Sequence, residues 1–307
     1  MITIVIPTYW GRRMTDEDKP SDSVFDHPTP LDGSDTLTRC LSSLAKMHTD
    51  NFQVVVITAT VCKEINQEVM EKVEEIISPF KRGFPVLQFA ASDLEVVKSR
   101  LEFLDLNPDF FNLKSYPDIR NCQLLVPCIL GTELIVAIDD DEVVPPDFLE
   151  KAGSFAGRTV NGTRIDGVAG FYYYKWGTYR VKEPPRARTS KNLFDRKSVL
   201  QNESYDLFMS KPGRLIETSI TLGGNMVFSR ELFYSVPFDP RIPRGEDIDY
   251  MINSRMLGFK WMMDKELRVD HFPPHTVSSR KLQEDVIRFV YEKRKVELSQ
   301  SLPGIEA

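Results

Sequence analysis

Three continuous apolar runs constrain the fold of this chain more than any other feature of its sequence. They lie at 2–6 (ITIVI), 52–57 (FQVVVI) and 134–138 (LIVAI) and are rich in β-branched residues. A strand with apolar residues at neighbouring positions, rather than only at alternate positions, is covered on both of its faces. Stretches with helical spacing separate the runs, so the first half of the chain predicts an α/β fold with a mostly parallel central sheet flanked by helices.

Shorter signals between the runs predict the elements that cover this sheet. The first predicted helix has Ser34 or Asp35 as its expected N-cap. Ser92 and Glu95 resemble a capping box, which predicts a helix start at that point. The apolar residues at 124–129 (LLVPCI) predict a further strand.

The second half of the chain is less regular. Its predicted strands lie at 168–174, 261–263 and 268–271, and its last amphipathic helix at 281–298. We therefore expect one large α/β domain over residues 1–275 and a C-terminal helical extension with a short helix over residues 276–307.

Composition limits the function classes. At 307 residues and 41% hydrophobic content, the chain has enough apolar residues for a large core. It lacks a run of about 18 apolar residues and the basic front of a signal peptide, so we expect a cytoplasmic protein without a membrane span. The net charge of −6 argues against nucleic acid as a partner, and four cysteines without a CxxC pair predict free thiols.

The strongest functional signal is the acidic run that directly follows the third apolar stretch: Asp139, Asp140 and Asp141. In sheets of this kind ligands gather at the carboxyl ends of the strands, which also places residues 7–10 and 58–60 at this rim. Three neighbouring carboxylates repel one another unless a cation lies among them, and hard divalent ions such as Mg²⁺ or Mn²⁺ prefer oxygen ligands. The alternative is a solvated acidic turn before the next helix.

A second acidic group, Glu246, Asp247 and Asp249, follows Gly245 at the predicted start of a helix. Carboxylates in a first turn are stabilised by the helix dipole, which is one sufficient reason for their presence. An aspartate placed here can also act as a general base that takes a proton from an acceptor hydroxyl, a step worth roughly 10²–10⁴-fold in rate. Spacing alone leaves both interpretations open.

Two weaker signals accompany the acids. His271 ends a short predicted strand and His275 follows it; either imidazole can bind a metal ion, and a lone histidine is also commonly structural. Gly223, Gly224 and Asn225 permit the close approach of a ligand but equally mark an ordinary turn. Neither signal is decisive by itself.

Taken in order, these segments resemble the glycosyltransferase family 2 type of GT-A enzymes over roughly residues 1–275. The matching segments are 3–9 (TIVIPTY), 37–44 (LTRCLSSL), Arg120 with Asn121, 139–141 (DDD), 223–233 (GGNMVFSRELF) and 245–250 (GEDIDY). Each motif is short, and their order along the chain carries the resemblance. It implies a GT-A fold that holds a nucleotide-sugar donor at the rim of the sheet.

The resemblance also implies roles for single residues. The implied donor-binding residues are Pro7, Thr8, Tyr9, Arg120, Asp139, Asp140, Gly223, Gly224 and Asn225. The implied ligands of Mn²⁺ or Mg²⁺ are Asp141, Asp139 and His271, with Asp141 as the principal one. Glu246 and Asp247 form the implied catalytic pair, in which Asp247 is the base of an inverting enzyme.

The expected activity is therefore metal-dependent transfer of a sugar, a hexose by the resemblance, from a nucleotide-sugar donor to an acceptor hydroxyl. The acceptor (a glycan, a lipid-linked molecule or a small molecule) stays open. So do a retaining enzyme, a non-catalytic nucleotide-sugar-binding protein, peripheral membrane contact and a homo-oligomer. A sugar-1-phosphate nucleotidyltransferase is disfavoured because residues 7–13 (PTYWGRR) contain a single glycine. The chain departs from the family pattern at Thr58, where the family usually has an acidic residue that reads the base, and in the longer segments 11–33 and 93–118.

Overall fold

A computed structural model describes residues 1–16, 25–26, 28–273 and 281–301 of the chain. The strands are β1 (Ile2–Gly11), β2 (Thr29–Pro30), β3 (Phe52–Thr60), β4 (Val86–Phe89), β5 (Leu134–Ile138), β6 (Glu142–Val143), β7 (Arg158–Val160), β8 (Thr163–Ile165), β9 (Gly167–Tyr174), β10 (Leu215–Glu217), β11 (Asn225–Ser229) and β12 (Trp261–His271). The helices are α1 (Leu37–Leu44), α2 (Asn66–Ile77), α3 (Ala91–Phe103), α4 (Tyr116–Ile129), α5 (Phe148–Ala152), α6 (Lys197–Ser210), α7 (Arg230–Ser235), α8 (Glu246–Met256) and α9 (Lys281–Gln300).

One mixed sheet organises these elements. Its strand order is β10-β12-β9-β11-β5-β1-β3-β4, with β2 beside β1 and β6 beside β12, while β7 and β8 form a separate ribbon. Strands β5, β1, β3 and β4 are parallel, and β11 is antiparallel to both of its neighbours, β5 and β9. The predicted α/β class, with a mostly parallel sheet flanked by helices, is confirmed. The carboxyl ends of β1, β3 and β5 meet at one edge, where the sequence predicts the site.

The three apolar runs lie side by side in the centre of the sheet. Alternate side chains enter different core clusters: Ile4 and Val54 pack with residues of α1 and α2, whereas Val5 and Val55 pack with residues of α4 and α8. All four side chains are completely buried. Helices therefore cover both faces of these strands, which is the physical reason why the runs have apolar residues on both faces.

The apolar residues at 124–129 form the end of helix α4 and not a strand, so that prediction is wrong. The helix begins after Ser115, whose hydroxyl accepts the N–H of Asp118 (3.4 Å), and Pro117 lies in its first turn. Its apolar residues pack against one face of the sheet. A short apolar run does not distinguish a strand from a buried helix, and the start signals of this helix lie well upstream of the run.

Two helix starts differ in detail from the sequence prediction. The N-cap of α1 is Thr36 and not Ser34 or Asp35, and it makes no side-chain capping bond, although Asp35 accepts the N–H of Thr38 at 2.6 Å. Helix α3 begins earlier than predicted, because the side chain of Asp93 accepts the N–H of Ala90 at 2.8 Å. Asp93 therefore caps the N-terminus of α3 through this bond, and the capping box predicted at Ser92 is wrong.

The C-terminal part of the chain packs onto the domain. The strands predicted at 261–263 and 268–271 form a single strand, β12, whose pairing with β9 is irregular in between. Helix α9 (Lys281–Gln300) confirms the last helix predicted over residues 281–298 and ends two residues later. It packs against α8, where Lys295 forms an ion pair with Asp249. The boundary predicted at residue 275 lies outside the described residues. A helix long and apolar enough to cross a membrane is not found in the described part of the chain.

Candidate active site

A cavity of about 350 Å³ lies where the carboxyl ends of β1 and β5 meet the start of α8. Many of the predicted site residues line it, namely Tyr9, Arg120, Asp139, Asp140, Asp141, Gly223, Glu246, Asp247 and His271. These residues come from parts of the chain that are distant in sequence. The fold therefore brings them together, and the order of the motifs alone does not determine their contacts.

Arg120 is the buried centre of one cavity wall. Its guanidinium lies between two carboxylates, 3.2 Å from Asp139 and 3.3 Å from Glu246, and donates to the Gln123 side chain at 3.0 Å. Only 5% of the arginine is exposed. A buried guanidinium requires paired donors, and these three acceptors from α4, the end of β5 and the start of α8 provide the pairing.

For both carboxylates that pair with Arg120, burial raises the pKa by more than the charge of the arginine lowers it. Burial raises the pKa of Asp139 above its ordinary value, although Arg120 lowers it. Burial, followed by the charge of Asp247, also raises the pKa of Glu246. One arginine therefore does not fully compensate the buried acids, and further positive charge at this wall would stabilise their ionised forms.

The three consecutive aspartates have different partners. Asp139 contacts Arg120 at 3.2 Å. Asp140 accepts the hydroxyl of Thr8 at 2.7 Å, which ties the end of β5 to β1. Asp141 faces His271, with Oδ2 3.3 Å from Nε2. Burial, followed by the charge of Asp141, raises the pKa of Asp140 to about 8. The run is thus an enclosed group of acids and not a solvated acidic turn.

Strand pairing places His271 beside Asp141. Strand β6 pairs with the end of β12, so that His271 lies opposite Glu142. The N–H of Phe272 also donates to the backbone carbonyl of Asp141 at 3.0 Å. These backbone contacts hold the imidazole at the acidic run. His275, the alternative ligand predicted from the sequence, lies outside the described residues.

Asp141 and His271 fit a hard divalent cation. Mn²⁺ accepts a carboxylate oxygen together with an imidazole nitrogen, and Mg²⁺ prefers the oxygen. Behind them, the buried Glu142 Oε1 has no hydrogen-bond partner among the described residues. The third predicted ligand, Asp139, faces Arg120, and the described residues contain no preformed group of three metal-ligating side chains. The residues present fit a cation that takes its other ligands from substrate oxygens and water.

Gly224 allows the turn before β11 to approach these acids closely. Its N–H donates to the hydroxyl of Tyr172 at 2.6 Å. A Cβ at this position would lie 2.6 Å from Asp139 Oδ2 and 2.7 Å from the Tyr172 hydroxyl, and still closer to Glu142 Oε1. Since side chains do not pack at such distances, a glycine is required here for close approach and not for backbone conformation.

Asp247 differs from the other acids that line the cavity. It is half-buried in the first turn of α8 and forms neither a hydrogen bond nor an ion pair with the described residues. The helix begins abruptly at Gly245, whose φ of +74° is left-handed and therefore favours glycine. A carboxylate with free oxygens at a cavity surface is able to accept a proton from a bound substrate.

Helix α9 covers the start of α8. Arg288 crosses Gly245 so closely that an added Cβ would collide with its side chain, and it pairs with Glu292 at 3.4 Å. Lys295, about two turns after Arg288 along α9, pairs with Asp249. Arg288 also lines the cavity. The C-terminal helix is therefore part of the site wall, a role that the sequence analysis did not predict.

The packing of α9 gives a testable pH dependence at Glu292. Burial, together with the charges of Asp247 and Asp249, raises the pKa of Glu292 to about 7, and Arg288 partly opposes the rise. The folded chain therefore binds more protons than the unfolded chain between the ordinary glutamate value and about pH 7, and stability falls as the pH rises through this window. We expect Glu292→Gln to gain stability relative to the parent chain between pH 5 and pH 8, by roughly 1–3 kcal/mol. Thermal melts at both pH values measure this, and a difference that does not change with pH would contradict the burial of an ionisable group here.

Four predicted donor-binding residues lie beside the cavity and not in its described lining: Pro7, Thr8, Gly224 and Asn225. Asn225 is completely buried, and its amide donates to the carbonyls of Phe171 and Leu267, both at 3.3 Å. Its side chain therefore joins β11 to β9 and β12. The roles of these four residues in donor binding stay predictions.

The cavity also contains residues that the sequence analysis did not single out. They are Asp26, Thr36, Tyr116, Tyr172, Arg244 and Arg288. The sequence could have indicated Tyr172, because it belongs to an aromatic run at the end of the strand predicted at 168–174. Arg244 directly precedes the glycine of the second acidic motif, but a single arginine there has no distinctive pattern.

Comparison with known proteins gave matches of structure but not of sequence. No protein-family model matches this chain, and no curated protein matches it. The structure is similar to S. aureus TarS 1-349, at 13% identity and a TM-score of 0.49, over 96% of this chain and 65% of that chain. It is also similar to the mannosyltransferase PcManGT from Pyrobaculum calidifontis in complex with GDP-Man and Mn²⁺, at 13% identity and a TM-score of 0.49, over 96% of this chain and 63% of that chain. A further S. aureus TarS structure matches at 14% identity and a TM-score of 0.46, over 97% of this chain and 42% of that chain. This chain thus spans less than two thirds of the length of each of these structures.

Proposed function

We propose that this chain is a glycosyltransferase that moves a sugar from a nucleotide-sugar donor to an acceptor hydroxyl, with inversion and with a divalent cation. The observation that carries the proposal is the arrangement of acids in one cavity. Asp141 and His271 face each other in its lining, and Asp247 lines the same cavity without a hydrogen-bond or ion-pair partner among the described residues. Arg120 joins the two acidic motifs through Asp139 and Glu246. The order of the sequence motifs supports the same activity.

A nucleotide diphosphate bound in this cavity needs positive charge around it, because the acids alone would repel it. Arg120, Arg244 and Arg288 belong to the same lining and supply part of that charge. A divalent cation held by Asp141 and His271 would stabilise the negative charge on the departing nucleotide. The raised pKa of Asp139 is consistent with a site whose positive charge is completed by ligands.

Asp247 is the proposed general base. The acceptor oxygen forms a bond to the anomeric carbon while its proton passes to the Asp247 carboxylate. The bond from that carbon to the diphosphate oxygen breaks, and its electron pair leaves with the nucleotide. Attack opposite the departing group inverts the configuration. Glu246 holds Arg120 at 3.3 Å, so we assign it a positioning role and not that of a second base.

Nucleotide-dependent thermal stabilisation tests the donor site. We expect one nucleotide sugar, in the presence of Mn²⁺, to stabilise the chain by about 2.7 kcal/mol when present at 100 times its dissociation constant. The measurement is a thermal melt with a panel of nucleoside diphosphates and nucleotide sugars. The compound that stabilises the chain also identifies the nucleobase of the donor.

EDTA and Asp141→Asn are the controls for that experiment. Both should remove the stabilisation, because both act on the proposed cation site. A shift that persists in EDTA would reject the cation, and the absence of a shift with every nucleotide would reject the donor site.

A further inference from the structure

We propose that the turn after β9 and the basic segment 175–197 form the acceptor site, and that the acceptor is a saccharide carrying a phosphate or a carboxylate. The role of this saccharide as an acceptor rests on the function proposed above. The binding of an anionic saccharide is argued from this surface alone.

Trp176 forms an exposed aromatic platform. Its side chain is 49% exposed, whereas Trp10 and Trp261 are at most 1% exposed. One face of the indole stacks on Tyr174, with the ring centroids 5.2 Å apart and the planes inclined by 17°. Single exposed apolar side chains are common, and this ring is distinguished by its stacking on Tyr174, which in turn contacts the cavity residue His271.

The turn fixes the orientation of this indole. Tyr174 and Thr178 are joined by a backbone hydrogen bond of 2.9 Å, and the N–H of Gly177 donates to the Tyr174 carbonyl at 2.7 Å. The indole N–H donates to the carbonyl of Arg180 at 3.0 Å. Since one face and the N–H are already engaged, the opposite face is the part that remains for a ligand. The C–H face of a pyranose suits the negative face of an aromatic ring.

Tyr174 connects the platform to the cavity. Its ring contacts His271 edge-on at 5.8 Å, and strand pairing places the two residues opposite each other. His271 lines the same cavity as Asp247. A saccharide on Trp176 would therefore extend towards this cavity.

The charge of the segment 175–197 selects an anionic ligand. It contains eight basic and two acidic residues, while the rest of the chain contains 31 basic and 43 acidic residues. Arg180 and Arg188 pair with Glu183. Four further cations are exposed and form no ion pair with the described residues: Lys175, Lys182, Arg186 and Lys191. An acidic chain repels an anion at most of its surface, and this segment provides a local attraction.

A tryptophan among lysines and arginines is also typical of a protein bound to an anionic membrane. A tryptophan at a membrane interface turns its polar N–H towards the headgroups. Here the N–H of Trp176 donates to the Arg180 carbonyl, and its ring lies flat on Tyr174 beside the cavity. These contacts favour a saccharide over a lipid surface.

Tryptophan fluorescence of the whole chain tests this site, because Trp176 is the exposed one of the three tryptophans. The probes are glucose 6-phosphate, methyl glucoside, inorganic phosphate, and vesicles of phosphatidylcholine with phosphatidylglycerol. We expect glucose 6-phosphate to change the fluorescence and methyl glucoside to do so at about tenfold higher concentration. Phosphate alone and the vesicles should have no effect.

Two pairs of charge variants separate this surface from general electrostatics. Lys182→Gln with Arg186→Gln should weaken glucose 6-phosphate about tenfold and leave methyl glucoside unchanged. Lys293→Gln with Arg294→Gln on α9 removes two exposed charges, both paired with Glu297, and should leave both probes unchanged. Trp176→Ala removes the optical signal, so calorimetry should show that it weakens both sugars by about tenfold.

Four outcomes would overturn the inference: no response to either sugar, equal responses to phosphate and glucose 6-phosphate, a response to the vesicles, or equal effects of the two charge pairs. Nucleotide-dependent stabilisation is measured separately and needs no sugar probe. Its absence alongside intact sugar binding would remove the transferase proposal and leave the saccharide site in place.

Discussion

Replacing Asp247 by asparagine is expected to lower turnover at least about 100-fold while the affinity for the nucleotide-sugar donor stays unchanged. Asparagine keeps the size of the side chain but does not accept a proton from the acceptor hydroxyl. Because Asp247 has no hydrogen bond or ion pair with the described residues, the substitution should cost little stability. Steady-state kinetics of transfer, together with donor-dependent thermal stabilisation, measure both quantities.

Asp249→Asn is the matched control. Asp249 lies in the same motif and on the same helix, but it is buried, pairs with Lys295 and accepts the amide of Asn253 at 2.8 Å. Its loss should lower the melting temperature and leave turnover intact below the transition. Near-normal turnover in Asp247→Asn would reject the base assignment, as would a product whose anomeric configuration, determined by NMR, equals that of the donor.

Replacing Arg120 by methionine is expected to destabilise the fold by about 3–5 kcal/mol, because it leaves Asp139 and Glu246 buried around a missing charge. That loss is a large part of a typical total stability of about 5–15 kcal/mol. For a chain of this length it lowers the melting temperature by about 5–8 °C. Urea unfolding measures the free energy, and donor-dependent stabilisation should disappear in the same variant.

A double-mutant cycle with Glu246→Gln identifies the cause. If Arg120 stabilises the fold by pairing with this carboxylate, the combined variant should lose less than the sum of the two single losses, by about 0.5–3 kcal/mol. Strictly additive losses would mean that Arg120 acts through its packing. A stable Arg120→Met protein would contradict the buried ion pairs themselves.

The central sheet follows from the sequence because its signal is local. Val54 and Val55 point to opposite faces, and both are completely buried, so a continuous apolar run is sufficient to predict a two-sided strand. Helix α4 does not follow in the same way. Its apolar end at 124–129 fits a strand equally well, and only the distant start at Ser115 and Pro117 identifies the helix.

The sequence predicts which residues belong to the candidate site better than it predicts the contacts between them. The motifs name Asp139, Asp141 and Asp247, and all three line the cavity. Their partners depend on packing between distant segments: Arg120 reaches Glu246, which is 126 residues away along the chain. The place of Arg288 in the wall depends on α9 crossing Gly245, a contact that no local pattern encodes.

The acids of the cavity and the basic segment 175–197 beside it are attached to the fold in different ways, and this has an evolutionary consequence. Asp139 to Asp141 directly follow the central strand β5, so the sheet fixes their position. The segment 175–197 links β9 to α6, and its polar contacts include those to its own Glu183 and to Asn202 and Asp206 of α6. Such a segment can diverge, or be exchanged between related chains, while the sheet stays the same. We expect donor chemistry to be inherited with the fold, and the choice of acceptor to behave as a replaceable module.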